Sequence, residues 1–195
     1  MPSQEPVYAP DFPLDVANGP ALVLSELWRE HHLLLWFSRG LACPFCRRQI
    51  VQFGEIQDDL KKSNVAVVQI TSTELQTARA MLQFFPVPWP YACDPEGKIV
   101  AAYDLHTAKG LFAGLAGEFA EQLNTWRIMT QHPAEPHPEV LPAVAAAGPI
   151  LTREGGMVLI DRSGQVRLTF PTGNLSPLPA NDPILQAVRQ VTSNT

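Results

Sequence analysis

The sequence predicts an α/β fold, in which the strands of a buried sheet alternate with amphipathic helices. Residues 33–37 form a continuous apolar run, and residues 65–70 form a second run that is rich in β-branched side chains. Short runs of this kind are typical of strands that are covered on both faces of a parallel sheet. Because a helical pattern lies between them, we expect a strand–helix–strand unit with a right-handed crossover.

The helix of this unit is predicted from apolar residues that recur at intervals of three and four positions. They are Cys46, Ile50, Phe53, Ile56 and Leu60. This spacing places all of them on one stripe of a single helix. A second helix is predicted after residue 74, because Thr71-Ser72-Thr73-Glu74 has the spacing of a capping box. Its apolar face contains Leu75, Ala78, Leu82 and Phe85.

The C-terminal part of the chain predicts a β-hairpin followed by a helix. Residues 157–160 have the pattern of a buried strand, residues 161–164 that of a turn, and residues 166–170 alternate between apolar and polar side chains. Asn181 is expected to cap the last helix, and Pro183 to stand at its first helical position. Apolar residues then follow at helical spacing. They are Ile184, Ala187, Val188 and Val191.

A single domain is expected over residues 1–195, with an insertion at residues 104–150 ahead of the last hairpin. A chain of 195 residues is too short for two large domains but long enough to bury an apolar core. Residues 112–123 of the insertion suggest one amphipathic helix. The prolines of residues 132–138 exclude a helix interior there and indicate a loop, a lid or a surface for a partner.

Composition and charge exclude several classes of function. The hydrophobic fraction of 46% and the charged fraction of 17% are those of a packed globular protein, and the net charge of −5 argues against a nucleic-acid partner. No apolar run approaches the roughly 20 residues that a membrane span needs, so no membrane association is expected. Three cysteines are too few for a disulfide-rich secreted scaffold, and no signal peptide is visible. These observations predict a cytoplasmic location.

The residues that carry chemistry are predicted to be Cys43 and Cys46, in the sequence Cys-Pro-Phe-Cys at residues 43–46. The pair lies where the first strand ends and the first helix begins. Free backbone N–H groups, the positive end of the helix dipole and the nearby Arg47 and Arg48 favour a thiolate there. Cys43 is therefore the expected nucleophile. Cys46 lies within disulfide reach of it, and its place on the apolar stripe predicts a more buried sulfur that resolves an adduct on Cys43.

Other interpretations of the cysteines remain open. The pair could be half of a zinc site, but no second cysteine pair completes one, and His132 and His137 lie in a proline-rich loop. The two cysteines could also be inert buried residues. Cys93 is interpreted as a small buried residue, with a second resolving thiol as the alternative. We expect no metal and no organic cofactor.

Several motifs along the chain resemble one known family. They are Ala9-Pro10-Asp11-Phe12, Leu24-Ser25-Glu26-Leu27, and residues 34–47, 91–100 and 158–164. Together they resemble the peroxiredoxin-like branch of the alkyl hydroperoxide reductase/thiol-specific antioxidant (AhpC/TSA) family. The resemblance implies a thioredoxin-like fold with an N-terminal β-hairpin, and for Cys43 the role of the cysteine that attacks peroxide. It also implies an external dithiol reductant of the thioredoxin or glutaredoxin type, and it is compatible with a homodimer.

Two positions differ from the family pattern and leave the substrate open. Where the family has Thr or Ser three residues before the reactive cysteine, this chain has Gly40, and Trp36 replaces the proline seven residues before it. The hydroxyl that binds peroxide is therefore missing from its expected position. Peroxide reduction by Cys43 and Cys46 is the first hypothesis, and thiol–disulfide exchange with a protein or small disulfide is the second. The third is a non-catalytic redox-sensing or binding module in which residues 132–149 engage a partner.

Overall fold

The computed structural model describes residues 7–103, 155–172 and 180–193. The strands of this part of the chain are β1 (Pro13–Val16), β2 (Leu22–Val23), β3 (His32–Ser38), β4 (Val65–Thr71), β5 (Tyr91–Cys93), β6 (Gly155–Ile160) and β7 (Val166–Thr172). The helices are α1 (Leu24–Glu30), α2 (Pro44–Gly54), α3 (Gln57–Lys62), α4 (Leu75–Leu82), α5 (Lys98–Ala102) and α6 (Asn181–Thr192). The insertion predicted at residues 104–150, with its helix and its proline-rich loop, lies outside the described residues.

The strands form one mixed sheet in the order β2-β1-β5-β4-β3-β6-β7. β3, β4 and β5 run parallel to one another, whereas β1–β2, β1–β5, β3–β6 and β6–β7 are antiparallel pairs. The predicted strand–helix–strand unit, the N-terminal hairpin and the C-terminal hairpin are all confirmed. Because β3, β4 and β5 point the same way, their carboxyl ends meet at one edge of the sheet, where ligand and active sites of α/β proteins occur.

The sheet separates two apolar cores. Alternation along β3 directs Leu34 and Trp36 to one face and Leu33, Leu35 and Phe37 to the other, and all of them are buried. On the first face, which we call the α2 face, the sheet packs against the apolar stripes of α2, α3 and α6. On the second face it packs against α1 and α5. Coverage of both faces explains why β3 is apolar along its whole length.

The single helix predicted over residues 46–60 is wrong in one respect, because the segment contains two helices. α2 ends at Gly54, and α3 begins only at Gln57. Glycine has a low helix propensity, and a break at this point costs little. The predicted apolar stripe continues across the break, since Ile56 and Leu60 are as buried as the residues of α2.

The predicted capping box at residues 71–74 is also wrong. Thr71 is the last residue of β4, where it pairs with Ser38 of β3, and no side chain caps α4 at Glu74. The two threonine hydroxyls instead lie 3.0 Å apart in a hydrogen bond between Thr71 and Thr73. Strand pairing therefore outweighs the local helix signal. Phe85 lies beyond the end of α4 but still packs against the α2-face core.

The last helix begins two residues earlier than the proline suggested. Ala180 occupies the cap position, and Asn181 is the first residue of α6 rather than its cap. The Asn181 side-chain amide donates a hydrogen bond of 2.9 Å to the carbonyl oxygen of Gln52, which ties α6 to α2. The predicted apolar face of the helix is buried as expected. No helix among the described residues is long and apolar enough to cross a membrane.

Candidate active site

Cys43 lies at the junction between the central strand and α2. It is the N-cap residue of α2, and its own N–H donates a 3.1 Å hydrogen bond to the carbonyl oxygen of Gly40. Pro44 opens the helix, and the N–H of Arg47 donates to the carbonyl oxygen of Cys43 at 3.2 Å. The predicted position of Cys43 is confirmed. Its sulfur is attached at the positive end of a helix, where the first N–H groups have no partner within the helix.

Cys43 and Cys46 are not joined by a disulfide, and each is only 2% exposed. The prediction that Cys46 is the more buried of the two is therefore wrong, and electrostatics distinguishes them instead. A hydrogen bond to Cys43 and burial together raise the pKa of Cys46 well above its ordinary value, against the opposing effects of the Arg39 charge and the Arg39 backbone. Cys46 thus keeps its proton and shares it with the sulfur of Cys43.

Arg47 provides a fixed cation beside the pair. Its Nη1 donates hydrogen bonds to the carbonyl oxygens of Leu41 (2.6 Å) and Ala42 (3.3 Å), and its guanidinium lies 4.7 Å from the ring centre of Phe85. Burial lowers the pKa of Arg47, whereas the negative charge that Cys43 and Cys46 can carry raises it. The arginine therefore remains positive and favours a thiolate next to it. Arg48 acts on Arg47 as a like charge.

Gly40 makes room for hydroxyl groups that come from a neighbouring strand. Its φ of +94° lies in the region that favours glycine, and a Cβ at this position would lie 2.6 Å from Oγ1 of Thr73 and 2.9 Å from Oγ1 of Thr71. Two threonine hydroxyls, one at the end of β4 and one two residues beyond it, thus lie close to the place that a side chain of residue 40 would occupy.

A buried chain of hydrogen bonds holds the loop that precedes Cys43. The indole N–H of Trp89 donates to Oε1 of Gln69 (3.0 Å), and Nε2 of Gln69 donates to Oγ of Ser38 (2.8 Å). The N–H of Gly40 donates to the same Ser38 oxygen at 3.4 Å. Trp89 also packs against Trp36, with ring centres 6.1 Å apart. Satisfied buried networks of this kind make a loop rigid, so the position of Cys43 is fixed in advance.

The comparison with known proteins assigns the chain to a family. Residues 7–168 match the AhpC/TSA family. The chain belongs to the AhpC/TSA family. The resemblance seen in the sequence is therefore confirmed.

Individual relatives of this AhpC/TSA protein are distant. A prostamide/prostaglandin F synthase of Danio rerio is 30% identical over 60 residues, which is 31% of this chain and 30% of that protein, so the match spans less than a third of the curated relative. The structure of peroxidoxin BcpB of Mycobacterium tuberculosis has a TM-score of 0.63 at 16% identity, with 95% of this chain and 96% of that chain covered. A putative thiol:disulfide interchange protein DsbE of Chlorobium tepidum has a TM-score of 0.57 at 19% identity, with 97% of each chain covered. These two structures confirm the thioredoxin-like fold.

Two groups of this AhpC/TSA protein were not predicted from its sequence. The local sequence pattern predicts a helix cap at Thr71 and Thr73 and indicates no role for Tyr91. The strand register brings them to the site, because β4 pairs with β3 from Val65 to Thr71 and with β5 from Gln69 to Thr71. The available signal is the position of hydroxyl residues at the ends of neighbouring parallel strands, whose carboxyl ends share one edge.

Cys93 is the third thiol of the described chain, and it lies on the same face of the sheet as the pair. It is 8% exposed, and burial followed by the charge of Asp15 raises its pKa to about 12. It therefore remains protonated at neutral pH, and its role as a second resolving thiol stays a prediction. Among the described residues no group of His, Cys, Asp and Glu is arranged to hold a metal ion. His132 and His137 lie outside those residues.

Proposed function

We propose that this AhpC/TSA protein is a thiol-dependent peroxidase in which Cys43 attacks the peroxide and Cys46 resolves the product. The observation that carries the proposal is the environment of Cys43. Its sulfur stands at the N-cap of α2, accepts a hydrogen bond from protonated Cys46, and lies beside the guanidinium of Arg47. Each of these interactions favours the thiolate, which is the nucleophilic form of cysteine.

The proposed reaction has two steps at the enzyme. The Cys43 thiolate attacks one oxygen of a hydroperoxide, the O–O bond breaks, and the other oxygen leaves as an alcohol or water after it takes a proton. Cys43 is then a sulfenic acid. The Cys46 thiol loses its proton and attacks the Cys43 sulfur, the S–O bond breaks, and the oxygen leaves as water. An external dithiol reduces the resulting disulfide by thiol–disulfide exchange.

The burial of the pair favours a small substrate. Cys43 is only 2% exposed, and the loop beside it is held by the Ser38–Gln69–Trp89 hydrogen bonds. A protein disulfide must bring its sulfur within bonding distance of Cys43, which requires an accessible thiol. A hydroperoxide is far smaller, and the threonine hydroxyls behind Gly40 are of the chemical type that can hydrogen-bond to a peroxide oxygen.

Thiol–disulfide exchange is the second candidate function. It uses the same two cysteines, but Cys43 attacks a sulfur and Cys46 releases the mixed disulfide. The spacing of the two thiols in the first turn of one helix favours it, because a disulfide between them forms without unwinding α2. The third hypothesis, a binding module, depends on residues 132–149, which lie outside the described residues.

The partners belong to the same proposal. The reductant is a thioredoxin- or glutaredoxin-type dithiol protein, and the protein works in the reducing environment of the cytoplasm without a metal or an organic cofactor. A homodimer is proposed from the family resemblance alone.

Rapid mixing of the reduced protein with hydrogen peroxide tests the proposal. We expect the Cys43 thiol to react about 100-fold faster than a free thiolate, the scale of a preorganised electrostatic site. Cys43→Ser should abolish the reaction, and Cys46→Ser should stop it at a sulfenic acid that a mass shift of one oxygen identifies. Cys93→Ser is the matched control and should react normally. A rate no better than free thiolate, with fast exchange against a small disulfide, establishes the second candidate instead.

A further inference from the structure

Tyr91 carries a buried hydroxyl without a partner. The side chain is 0% exposed, and its hydroxyl makes no hydrogen bond to any described residue. Thr71 and the Leu41 backbone lie close enough to lower the pKa of the phenol, but neither meets hydrogen-bond geometry, and burial, the larger effect, raises that pKa. An unsatisfied buried hydroxyl destabilises a fold, so its presence calls for a reason outside the resting structure.

The register of the sheet places this hydroxyl beside the loop that leads to the cysteine pair. Tyr91 of β5 stands beside Gln69 of β4, which stands beside Trp36 of β3, and all three lie on the α2 face. The Tyr91 hydroxyl is 3.7 Å from the position of a Cβ on Gly40. The neighbouring residue Arg39 donates its backbone N–H to the sulfur of Cys46. The phenol and the Cys46 sulfur therefore approach the same short segment, residues 39–41, from inside the protein.

The resolving step creates a need for such a donor. Cys46 holds its proton because it is buried and because it donates to Cys43. Once Cys43 has been modified, Cys46 must lose that proton and carry negative charge where water has no access. A buried thiolate with few hydrogen-bond donors is costly. The backbone of Arg39 supplies one donor, and the Tyr91 hydroxyl is a buried donor near the same segment that has no hydrogen-bond partner among the described residues.

We propose that Tyr91 donates a hydrogen bond to the sulfur of Cys46 as it ionises, and thereby accelerates closure of the Cys43–Cys46 disulfide. The inference rests on the proposed role of Cys46 as the resolving thiol, but it does not depend on whether the first substrate is a peroxide or a disulfide. In either case Cys46 attacks the Cys43 sulfur, the bond from Cys43 to its leaving group breaks, and the Tyr91 proton stays on its oxygen.

The test uses a small aromatic disulfide, dithiodipyridine, with the reduced full chain carrying Cys93→Ser. Cys43 attacks the reagent and releases one pyridinethione, and Cys46 then attacks the mixed disulfide and releases a second. Samples are quenched in acid and analysed by mass spectrometry. The amount of mixed disulfide that accumulates gives the ratio of the rate of the first pyridinethione release to that of the second. Tyr91→Phe is compared with Tyr103→Phe, which removes a half-buried phenol, hydrogen-bonded to Pro10, on the opposite face of the sheet.

We expect Tyr91→Phe to slow the second release about 10-fold, the rate equivalent of one hydrogen bond to a charged group, and to leave the first release unchanged within about twofold. The mixed disulfide then accumulates in Tyr91→Phe and not in Tyr103→Phe. If Tyr91 had only a structural role, the less stable of the two variants should also close its disulfide more slowly. That variant is Tyr103→Phe, because it loses a satisfied hydrogen bond and Tyr91→Phe does not. Equal rates of closure in Tyr91→Phe and the parent, or equal slowing by Tyr103→Phe, overturn the proposal.

A second variant covers the case in which Tyr91→Phe does not fold. Fluorotyrosine at position 91 keeps the shape of the side chain and makes the phenol a stronger donor, so closure should be faster, and unchanged closure overturns the proposal. Because the reagent is not a peroxide, the outcome is separate from the peroxidase assignment. A protein that is inert towards hydrogen peroxide but slowed by Tyr91→Phe loses the peroxidase function and keeps this role for Tyr91.

Discussion

Gly40 shows how much of the site depends on one missing side chain. Its positive φ and the threonine hydroxyls within 3 Å of its would-be Cβ leave no space for any other residue. The loop that carries Cys43 is thereby pressed against the ends of the neighbouring strands. Glycine at this position allows the hydroxyls of Thr71 and Thr73 to occupy the place where the side chain of residue 40 would be.

We therefore expect Gly40→Ala to damage both stability and reactivity. The left-handed backbone and the contact with Thr73 should cost about 2 kcal/mol of unfolding free energy, measured by urea denaturation. The rate of Cys43 with hydrogen peroxide should fall with it. Gly54→Ala is the matched control, because a Cβ at that helical position meets nothing within 4 Å, and it should be neutral or slightly stabilising. Wild-type stability in Gly40→Ala contradicts this account of the loop.

The sequence was sufficient for the residues whose roles depend on local pattern. Cys43 and Cys46 could be found because their spacing, the adjacent proline and the strand-to-helix junction all lie within one short segment. Thr73 and Tyr91 could not, because they reach the site through the pairing of three strands that are far apart along the chain. A local pattern also misled, since the threonines of residues 71–74 match a helix cap and serve a strand end.

Among the elements, the C-terminal hairpin depends most on a single side chain. In the turn between β6 and β7, Oδ1 of Asp161 accepts hydrogen bonds from the N–H of Ser163 (2.9 Å), the hydroxyl of Ser163 (2.6 Å) and the N–H of Gln165 (3.1 Å). Its Oδ2 lies 3.5 Å from the guanidinium of Arg167. Since β6 pairs with β3, this turn supports the strand that leads to Cys43.

Asp161→Ala should destabilise the protein by about 2 kcal/mol, because it leaves the turn N–H groups without their acceptor. Arg162→Ala, one residue further on the exposed turn, should change stability by less than about 0.5 kcal/mol. Thermal unfolding at neutral pH distinguishes the two variants. Equal effects at the two positions show that the Asp161 interactions do not stabilise the turn.

The Asp161 carboxylate also predicts that the stability of the protein depends on pH in the acid range. Burial alone raises the pKa of Asp161, but the hydrogen bonds from Ser163 and Gln165 and the charge of Arg167 outweigh it and lower the pKa. A lowered pKa in the folded state means that the stabilisation is complete above the unfolded value of 3.8 and is lost as the pH falls through the folded value. The loss of stability below about pH 4 should therefore be smaller in Asp161→Ala than in the parent.

Element boundaries were less predictable than element types. The apolar stripe of residues 46–60 is buried as predicted, but Gly54 divides it between α2 and α3. Three elements went unpredicted because they are short: α1 with seven residues, β5 with three and α5 with five. Their stability comes from tertiary packing and strand pairing, which leave little periodic signal in the sequence.

For the molecule as a whole, buried thiols and phenols predict sensitivity to alkali. Burial raises the pKa of Cys93 to about 12, and it also raises the pKa values of Tyr91 and Tyr103 above their ordinary range. In the unfolded chain these groups lose their protons earlier than in the folded chain. The unfolded state then binds fewer protons, so the free energy of unfolding falls as the pH rises.

We expect the reduced protein to lose stability from about pH 9 upward, by up to about 1.4 kcal/mol per pH unit for each such group. Urea denaturation in the presence of a reductant at a series of alkaline pH values measures how steeply the free energy of unfolding falls with pH. Cys93→Ala should make this dependence shallower while costing some stability at every pH. A stability that stays constant between pH 8 and pH 11 is incompatible with thiols and phenols held protonated in the fold.

At this scale the sequence predicted the main architecture. The apolar runs, the helical stripe and the C-terminal hairpin specify an α/β sheet with its helices, and both hairpins lie where they were expected. What the sequence did not specify is the order in which strands far apart along the chain pair across the sheet. The insertion expected at residues 104–150 lies outside the described residues and stays a prediction.

The two cores of the sheet also differ in what an oxidant can damage. On the α2 face lie Met81, Met157 and Cys93, together with the dithiol at the start of α2, whereas the core on the other face contains no sulfur among its described residues. Methionine sulfoxide and over-oxidised cysteine disrupt the packing around them. Oxidation of these sulfur atoms would therefore disturb the packing on one side of the sheet only, while the described core on the other side offers an oxidant no sulfur to attack.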